Sequence, residues 1–247
     1  MNSLERLIIN IELHSAEGIK TGFARGISPN DIYNGEPLIY ELISEYTRSP
    51  EFKNCVNIFV EYGLHFEDKA FLAVLLDDAR SLDQMINDKP EIILNKYTLR
   101  SAYTPLFEVS LLHICAEFNH VDCARVLVKY GIDVDARAGV DKNGFGGQTP
   151  IFHTVNQNSN QSMDMLNYLL SEKADLHLTV PGLIWGKGYD WETLIPAVNP
   201  VSYAMMGLLP QMHREETVIA DIISLLMRQG YGIDYVSENI PCKYLKG

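Results

Sequence analysis

Four side chains that could coordinate zinc lie close together in the middle of the chain: His113, Cys115, His120 and Cys123. Imidazole nitrogen and thiolate sulfur are the usual protein ligands of Zn²⁺. The spacing matches no zinc pattern, however, and we expect Cys115 and Cys123 to lie on different helices. We therefore predict that all four are buried structural groups and that the protein binds no metal.

Two further patterns could bind a ligand, but each lacks essential positions. Asp141-x-Asn143 could begin a calcium loop, yet Phe145 and Phe152 stand where further ligands are needed. The glycines of segment 144–147 resemble a phosphate-binding loop only in composition, because the Gly-Lys-Ser/Thr ending is missing. We predict that the protein has no cofactor.

Evidence for catalysis is weak in this sequence. Glu215, Glu216 and His213 could form an acid–base group, but a solvated polar turn is the more common use of such residues. The sequence contains no Gly-x-Ser-x-Gly elbow and no cysteine-centred catalytic signature. We predict that the protein is not an enzyme. Because catalytic groups assemble in space, an enzyme with its site beneath the connector 179–198 remains an alternative hypothesis.

The elements that position these residues repeat along the chain. Residues 110–136 predict a short helix, a tight turn at Asn119 and His120, a second helix and an extended exit. Gly131 follows the second helix, where a left-handed C-terminal cap is needed. Related segments begin near Glu36, Gly147 and Asn199.

Residues 110–136 closely resemble the ankyrin repeat, which has a period of about 33 residues and a T-P-L-H-x-A signature. His113 stands at the signature histidine, Cys115 and Ala116 replace the small pair, and Gly131 begins a match to the G-A-D-V-N-A ending. The run from Trp185, W-G-K-G-x-x-W-E-T, is also similar to a subgroup of bacterial ankyrin-repeat proteins. The resemblance implies an all-α solenoid of helix–turn–helix units with extended β-hairpin-like fingers.

The resemblance extends over nearly the whole chain as a single domain. In the unit near Gly147, Phe152 takes the signature histidine position and Lys173 the glycine position. We expect the opening stretch to be a capping half-unit, and the tail 235–247 is unassigned. The approximate units are an N-terminal cap at 1–34, then 35–67, 68–98, 104–136, 147–178 and 199–236.

Two connectors, 137–148 and 179–198, are longer than the repeat requires and contain large aromatic side chains. The first has Phe145, and the second has Trp185, Tyr189 and Trp191. Such residues either pack back onto the core or face a partner, since Trp and Tyr often anchor interfaces. Because consecutive fingers project on one side of a solenoid, we expect these four aromatics to form one cluster.

Charge and composition limit the classes of partner. The chain has 32 acidic and 20 basic residues, a net charge of −12. This charge disfavours nucleic acid and anionic membranes and permits a basic protein partner. The N-terminal stretch lacks the basic region of a secretory signal, and the apolar runs are too short to span a bilayer. We expect a cytoplasmic monomer whose four cysteines are buried free thiols.

These observations predict a protein-interaction module, such as an adaptor, scaffold or inhibitor. By the resemblance, it binds a protein partner through its concave face and extended fingers. An immunity or inhibitor protein for a basic toxin or nuclease is the alternative that the acidic charge suggests. The predicted partner-binding residues are Glu117, Phe118, Phe145, Gln148, Asn156, Gln157, Trp185, Tyr189 and Trp191.

Overall fold

The computed structural model describes residues 2–157, 161–209 and 214–236. Within these ranges the α-helices follow one another in pairs. The pairs are α1 (Ser3–Glu12) and α2 (Ala16–Ala24), α3 (Ile39–Ser44) and α4 (Phe52–Glu61), α5 (Lys69–Leu75) and α6 (Ala79–Asp88), α7 (Leu111–Phe118) and α8 (Val121–Lys129), α9 (Phe152–Val155) and α10 (Met163–Ser171), and α11 (Pro200–Met205) and α12 (Glu216–Tyr231). Two short 3-10 helices follow α6 and α11, at Pro90–Leu94 and Met206–Leu208.

Antiparallel two-stranded hairpins connect three of the successive pairs. A fourth connector, residues 137–148, is a turn-rich finger closed by a single bridge between Val140 and Gly146. The hairpins are β1 (Ile32–Tyr33) with β2 (Glu36–Pro37), β3 (Tyr97–Leu99) with β4 (Leu106–Val109), and β5 (Val180–Trp185) with β6 (Thr193–Val198).

The core forms between neighbouring helix pairs. Among the first helices of the pairs, α1 packs on α3, α5 on α7, α7 on α9, and α9 on α11. Among the second helices, α2 packs on α4, α6 on α8, and α8 on α10. The small pair Cys115 and Ala116 is fully buried, which lets α7 approach its neighbours closely. Each unit therefore buries its apolar face against the next unit, as expected for a solenoid.

Local sequence explains where several helices begin and end. The side chains of Asp68 and Asp78 accept hydrogen bonds from backbone N–H groups in the first turns of α5 and α6. Gly131 has φ of 89°, the left-handed conformation predicted for it after α8. Lys173, predicted to stand at the glycine position, has φ of 66°. A non-glycine residue in that region is uncommon, so the repeat geometry imposes it there.

The N-terminal unit differs from the expectation. Instead of a half-unit, the chain has a complete helix pair, α1 and α2, followed by the β1–β2 hairpin. The pair forms because Leu7, Ile11 and Ile19 lie on apolar faces that bury against each other and against the next unit. His213 and the tail from 237 onwards, including Cys242, lie outside the described residues.

Candidate functional site

The histidines of the central repeat use their ring nitrogens to connect units. His113 Nδ1 lies 2.8 Å from Ser110 Oγ, and its Nε2 lies 3.1 Å from the carbonyl oxygen of Gln148 in the next unit. His120 Nδ1 lies 2.6 Å from the carbonyl oxygen of Val74 in the preceding unit. Burial lowers the pKa of His113 well below its usual value and that of His120 to about 4. Both rings therefore stay neutral at physiological pH and act as structural links.

The cysteines within the described residues are buried and not paired in disulfides. Cys55, Cys115 and Cys123 are free thiols. Burial raises the pKa of Cys55 to about 12, so its thiolate fraction at neutral pH is very small. In the part of the chain that the structure describes, no three His, Cys, Asp or Glu side chains come together as a metal site.

Asp141, the residue that could have begun a calcium loop, organises the 137–148 finger instead. Its carboxylate accepts the backbone N–H groups of Asn143 at 2.8 Å and Phe145 at 3.1 Å. It also accepts a hydrogen bond from Lys187 of the β5–β6 hairpin at 3.2 Å. The half-buried Phe145 packs on Gly182 of the same hairpin, where a Cβ atom would come within 2.9 Å of the ring. The two long connectors therefore contact each other.

Six of the nine predicted contact residues are buried. They are Glu117, Phe118, Gln148, Asn156 and Gln157, together with Trp185 of the β5–β6 hairpin. Direct contact with a partner through the concave face requires exposed side chains, so the burial of the first five contradicts that predicted role. Segments 45–51 and 101–105 lie over that face. Arg48 from the first segment contacts Glu117, and the carbonyl oxygen of Pro105 from the second accepts a hydrogen bond from Gln148 Nε2 at 2.6 Å.

Arg48, Glu117 and His153 form a buried charged cluster. Arg48 donates from Nε and Nη2 to Glu117 Oε1, at 2.8 and 2.7 Å, and its Nη1 donates to the carbonyl oxygens of Glu45 and Thr47. His153 Nδ1 lies 2.8 Å from Glu117 Oε2. Burial alone would raise the pKa of Glu117, but the Arg48 charge and the His153 contact outweigh it and lower the pKa. Glu117 is therefore an ionised, fully paired carboxylate.

A small polar cavity lies beside this cluster, lined by Tyr46, Arg48, Glu117, Asn156, Gln157 and residues 101–104. Its volume is about 20 Å³, which accommodates about one water molecule. Asn156 is 5% exposed; its Oδ1 accepts from Arg214 at 3.2 Å, and its Nδ2 has no bonding partner within the described residues.

The β5–β6 hairpin has a buried base. Trp185 is 1% exposed, and its indole Nε1 donates to the hydroxyl of Tyr203 on α11 at 2.8 Å. The Tyr203 hydroxyl lies 2.9 Å from Thr104 Oγ1, and the ring of Tyr103 meets Trp185 edge-on at 5.3 Å. Burial raises the pKa of Tyr203, which therefore stays protonated. Trp185 is thus a core residue that fixes the hairpin to the solenoid.

The tip of the hairpin is exposed. Tyr189 and Trp191 are 37% and 44% exposed and stack on each other with ring centroids 5.4 Å apart. Trp191 covers the backbone of Gly186, since a Cβ atom there would lie 2.5 Å from the indole. Trp191 also lies 5.9 Å from Tyr103, which contacts Tyr46 at 6.4 Å. We call Tyr46, Tyr103, Tyr189 and Trp191 the aromatic patch.

The expected cluster of four connector aromatics is therefore only partly present. Tyr189 stacks on Trp191, whereas Trp185 and Trp191 are linked only through Tyr103, which contacts both, and Phe145 packs on Gly182. Tyr46 and Tyr103, which complete the patch, are not predicted from the sequence. No repeat signature marks either position, and the patch brings together three separate segments of the chain.

The stacked helix pairs and their projecting hairpins define a solenoid repeat protein. Residues 70–180 match the family model described as ankyrin repeats, in three copies. The chain therefore contains ankyrin repeats and has the ankyrin-repeat fold, which confirms the resemblance noted in the sequence. Ankyrin repeats are protein-interaction modules. Within the described residues, no helix combines the length and apolar character needed to cross a membrane.

Among known proteins, the chain is similar to the NF-kappa-B inhibitor cactus of Drosophila melanogaster and of Drosophila yakuba. Each match has 37% identity over 67 residues, which is 27% of this chain and 12% of the relative. The chain thus spans only a small part of the length of these relatives. Among solved structures, the human ASB11 ankyrin repeat domain matches with 16% identity and a TM-score of 0.39, over 91% of this chain and 83% of that one.

Proposed function

We propose that this protein is an interaction module, acting as an adaptor or inhibitor, that contacts a partner protein through its finger side. The observation that carries this proposal is the exposed pair Tyr189 and Trp191 on a hairpin whose base is fixed in the core. Large aromatic side chains anchor many interfaces, and anchors that are already ordered lose little entropy on binding. The name of the cactus relatives supports an inhibitory role.

The other predicted contact residues have a supporting role in this proposal. Glu117 and Phe118 contact Arg48, and Gln148 donates to the carbonyl oxygen of Pro105, so these buried residues hold segments 45–51 and 101–105. Asn156 and Gln157 are buried and line the cavity beside Glu117. Trp185 and Phe145 hold the β5–β6 hairpin against the solenoid and against the 137–148 finger. A cytoplasmic, monomeric form belongs to the same proposal.

Binding fits the geometry better than catalysis beneath the 179–198 connector does. The cavity lined by Tyr103 and Thr104, which contact Trp185 and Tyr203 at the base of the hairpin, has room for about one water molecule. The carboxylate beside it, Glu117, is fully engaged by Arg48 and His153. A general acid or base must reach the proton that it transfers, and this carboxylate faces its own partners instead.

Affinity capture from the native cell tests the proposal. The wild-type protein, Trp191→Ala and a control, Leu13→Ala, serve as baits; Leu13 is an exposed apolar residue in the turn between α1 and α2. We expect the wild type and the control to retain the same protein. We expect Trp191→Ala to retain it about 30-fold more weakly, because a central aromatic contributes about 2 kcal/mol.

The melting temperatures of the three baits should agree, so that a loss of binding reports on the surface and not on folding. Equal retention by Trp191→Ala and Leu13→Ala would show that the hairpin tip is not the contact site. Retention of no specific protein by the wild type would contradict the interaction function itself.

A further inference from the structure

Carboxylates lie on one side of the aromatic patch. Glu45 precedes Tyr46 and accepts its backbone N–H at 2.7 Å. Burial raises the pKa of Glu45, and the charges of Glu12 and Glu41 add to the rise, while the Tyr46 N–H and the Arg48 charge oppose it. Burial also raises the pKa of Tyr103, with added contributions from Tyr46 and Glu45. These carboxylates therefore create a negative potential that reaches the rings of the patch.

Carboxylates also lie on the opposite side, in the hairpin tip. Exposed Asp190 and Glu192 alternate along the chain with the stacked rings of Tyr189 and Trp191. The Glu192 side chain accepts the backbone N–H of Gly188 at 3.2 Å, which keeps it at the tip. The two most exposed rings of the hairpin are therefore accompanied by acidic groups in the same turn.

The basic residues near the patch are engaged with acidic partners. Arg48, two residues after Tyr46, is paired with the buried Glu117 at 2.7 Å. Arg100 Nη2 lies 2.8 Å from Glu41 and 3.4 Å from Glu36. Lys187 lies 3.2 Å from Asp141 in the neighbouring finger. The Arg48 charge also acts on Glu45, but within the described residues none of these three cations forms an ion pair with Glu45, Asp190 or Glu192. The charge around the patch has the same sign as the net charge of the chain, −12.

We propose that the aromatic patch binds a basic segment of a partner protein. A Lys or Arg side chain of that segment lies against the Tyr189–Trp191 stack, and neighbouring cations pair with Glu45, Asp190 and Glu192. Aromatic faces attract cations, tryptophan most strongly, and surrounding carboxylates steer a basic chain toward them. This inference rests on the proposed interaction function and specifies the chemistry of the partner.

Peptide titration with the full chain tests this inference without a known partner. The probes are a twelve-residue peptide in which Arg alternates with Gly and Ser, and the same peptide with Glu in place of Arg. We expect the basic peptide to bind and the acidic peptide not to bind. Binding should weaken as salt rises, because exposed charges are screened. Calorimetry gives the affinity, and tryptophan emission reports whether Trp191 is involved.

Matched variants locate the binding. We expect Trp191→Ala to weaken the binding of the basic peptide about two- to fivefold, which is the range of an exposed cation–aromatic contact. Glu45→Gln should weaken it by up to about fivefold, since it removes one surface charge partner. Glu61→Gln, at an exposed position on α4, removes the same charge elsewhere and should change little, as should Leu13→Ala.

Three outcomes would overturn the inference: equal binding of both peptides, no loss in Trp191→Ala, or equal losses in Glu45→Gln and Glu61→Gln. The last would mean that the net charge alone attracts the peptide. If cellular capture depends on Trp191 but the basic peptide does not bind, the interaction function stands and the basic partner is wrong. If the peptide binds as expected and no cellular protein is captured, the charge complementarity stands and the interaction function is contradicted.

Discussion

The two tryptophans of this chain lie on one hairpin but in opposite environments. Trp185, at the base, is 1% exposed and donates a hydrogen bond to Tyr203, whereas Trp191, at the tip, is 44% exposed and lies on Gly186. The base is part of the solenoid core, and the tip is surface. Residue type alone therefore does not determine whether an aromatic stabilises the fold or is available to a partner.

The concave face shows the same contrast. Glu117 occupies a motif position from which ankyrin repeats commonly present side chains, yet here Arg48 and His153 enclose it. Tyr46, only two residues before Arg48, is 46% exposed. The loop between α3 and α4 therefore covers part of the expected binding face with Arg48 and contributes Tyr46 to the aromatic patch.

The largest expected effect concerns the buried side of this contrast. Arg48→Ala leaves the buried Glu117 carboxylate without its cation, and breaking a buried pair in this way costs about 3–5 kcal/mol of unfolding free energy. Chemical denaturation measures the loss. Arg100→Ala is the control, because Arg100 pairs with Glu41 and Glu36 at a partly exposed position, where such contacts contribute less than about 1 kcal/mol. Equal losses in the two variants would show that the Arg48 cluster does not differ from a surface ion pair.

The second prediction compares the two tryptophans directly. Trp185→Phe removes the hydrogen bond to Tyr203 and part of the buried ring, so we expect a loss of about 1–3 kcal/mol. Trp191→Phe keeps an aromatic at an exposed position and should change stability by less than about 0.5 kcal/mol. Thermal and urea unfolding give both values. The division of the hairpin into a structural base and an exposed tip is wrong if Trp191→Phe is the more damaging change.

The sequence predicted the features that repeat within one unit. The repeat period predicted that His113 forms a hydrogen bond between adjacent units and that Gly131 forms a left-handed cap, because both features recur in every regular repeat. It also identified Lys173 as the residue at a glycine position. Such features depend on local spacing, which a single sequence shows directly.

Contacts between distant segments could not be predicted in the same way. Arg48 and Glu117 are 69 residues apart, and Arg48 belongs to a loop outside the repeat signature. Tyr46 and Tyr103 reach the hairpin tip only because their segments lie over the first helices. The helical period shows which face of a helix is apolar, but not which connector will cover the end of that face.

The smallest expected effect tests how the exposed tip is held. Gly186 and Gly188 both have positive φ, 60° and 85°, so Ala at either position costs about 1–2 kcal/mol of backbone strain. Only at Gly186 would the new Cβ meet the Trp191 ring, at 2.5 Å, while at Gly188 nothing lies within 4 Å. We therefore expect both variants to lose similar stability, with only Gly186→Ala displacing the indole.

Tryptophan emission separates these two effects, because Trp185 is buried in the core and Trp191 alone lies at the tip. Gly186→Ala should shift the emission to longer wavelength as Trp191 leaves its backbone contact, and Gly188→Ala should leave the emission unchanged. The shift should vanish in a Trp191→Phe background, which assigns it to that ring. Identical spectra for Gly186→Ala and Gly188→Ala would mean that the backbone of Gly186 does not hold Trp191. In that case the ordered anchor in the proposed binding surface would lose its structural basis.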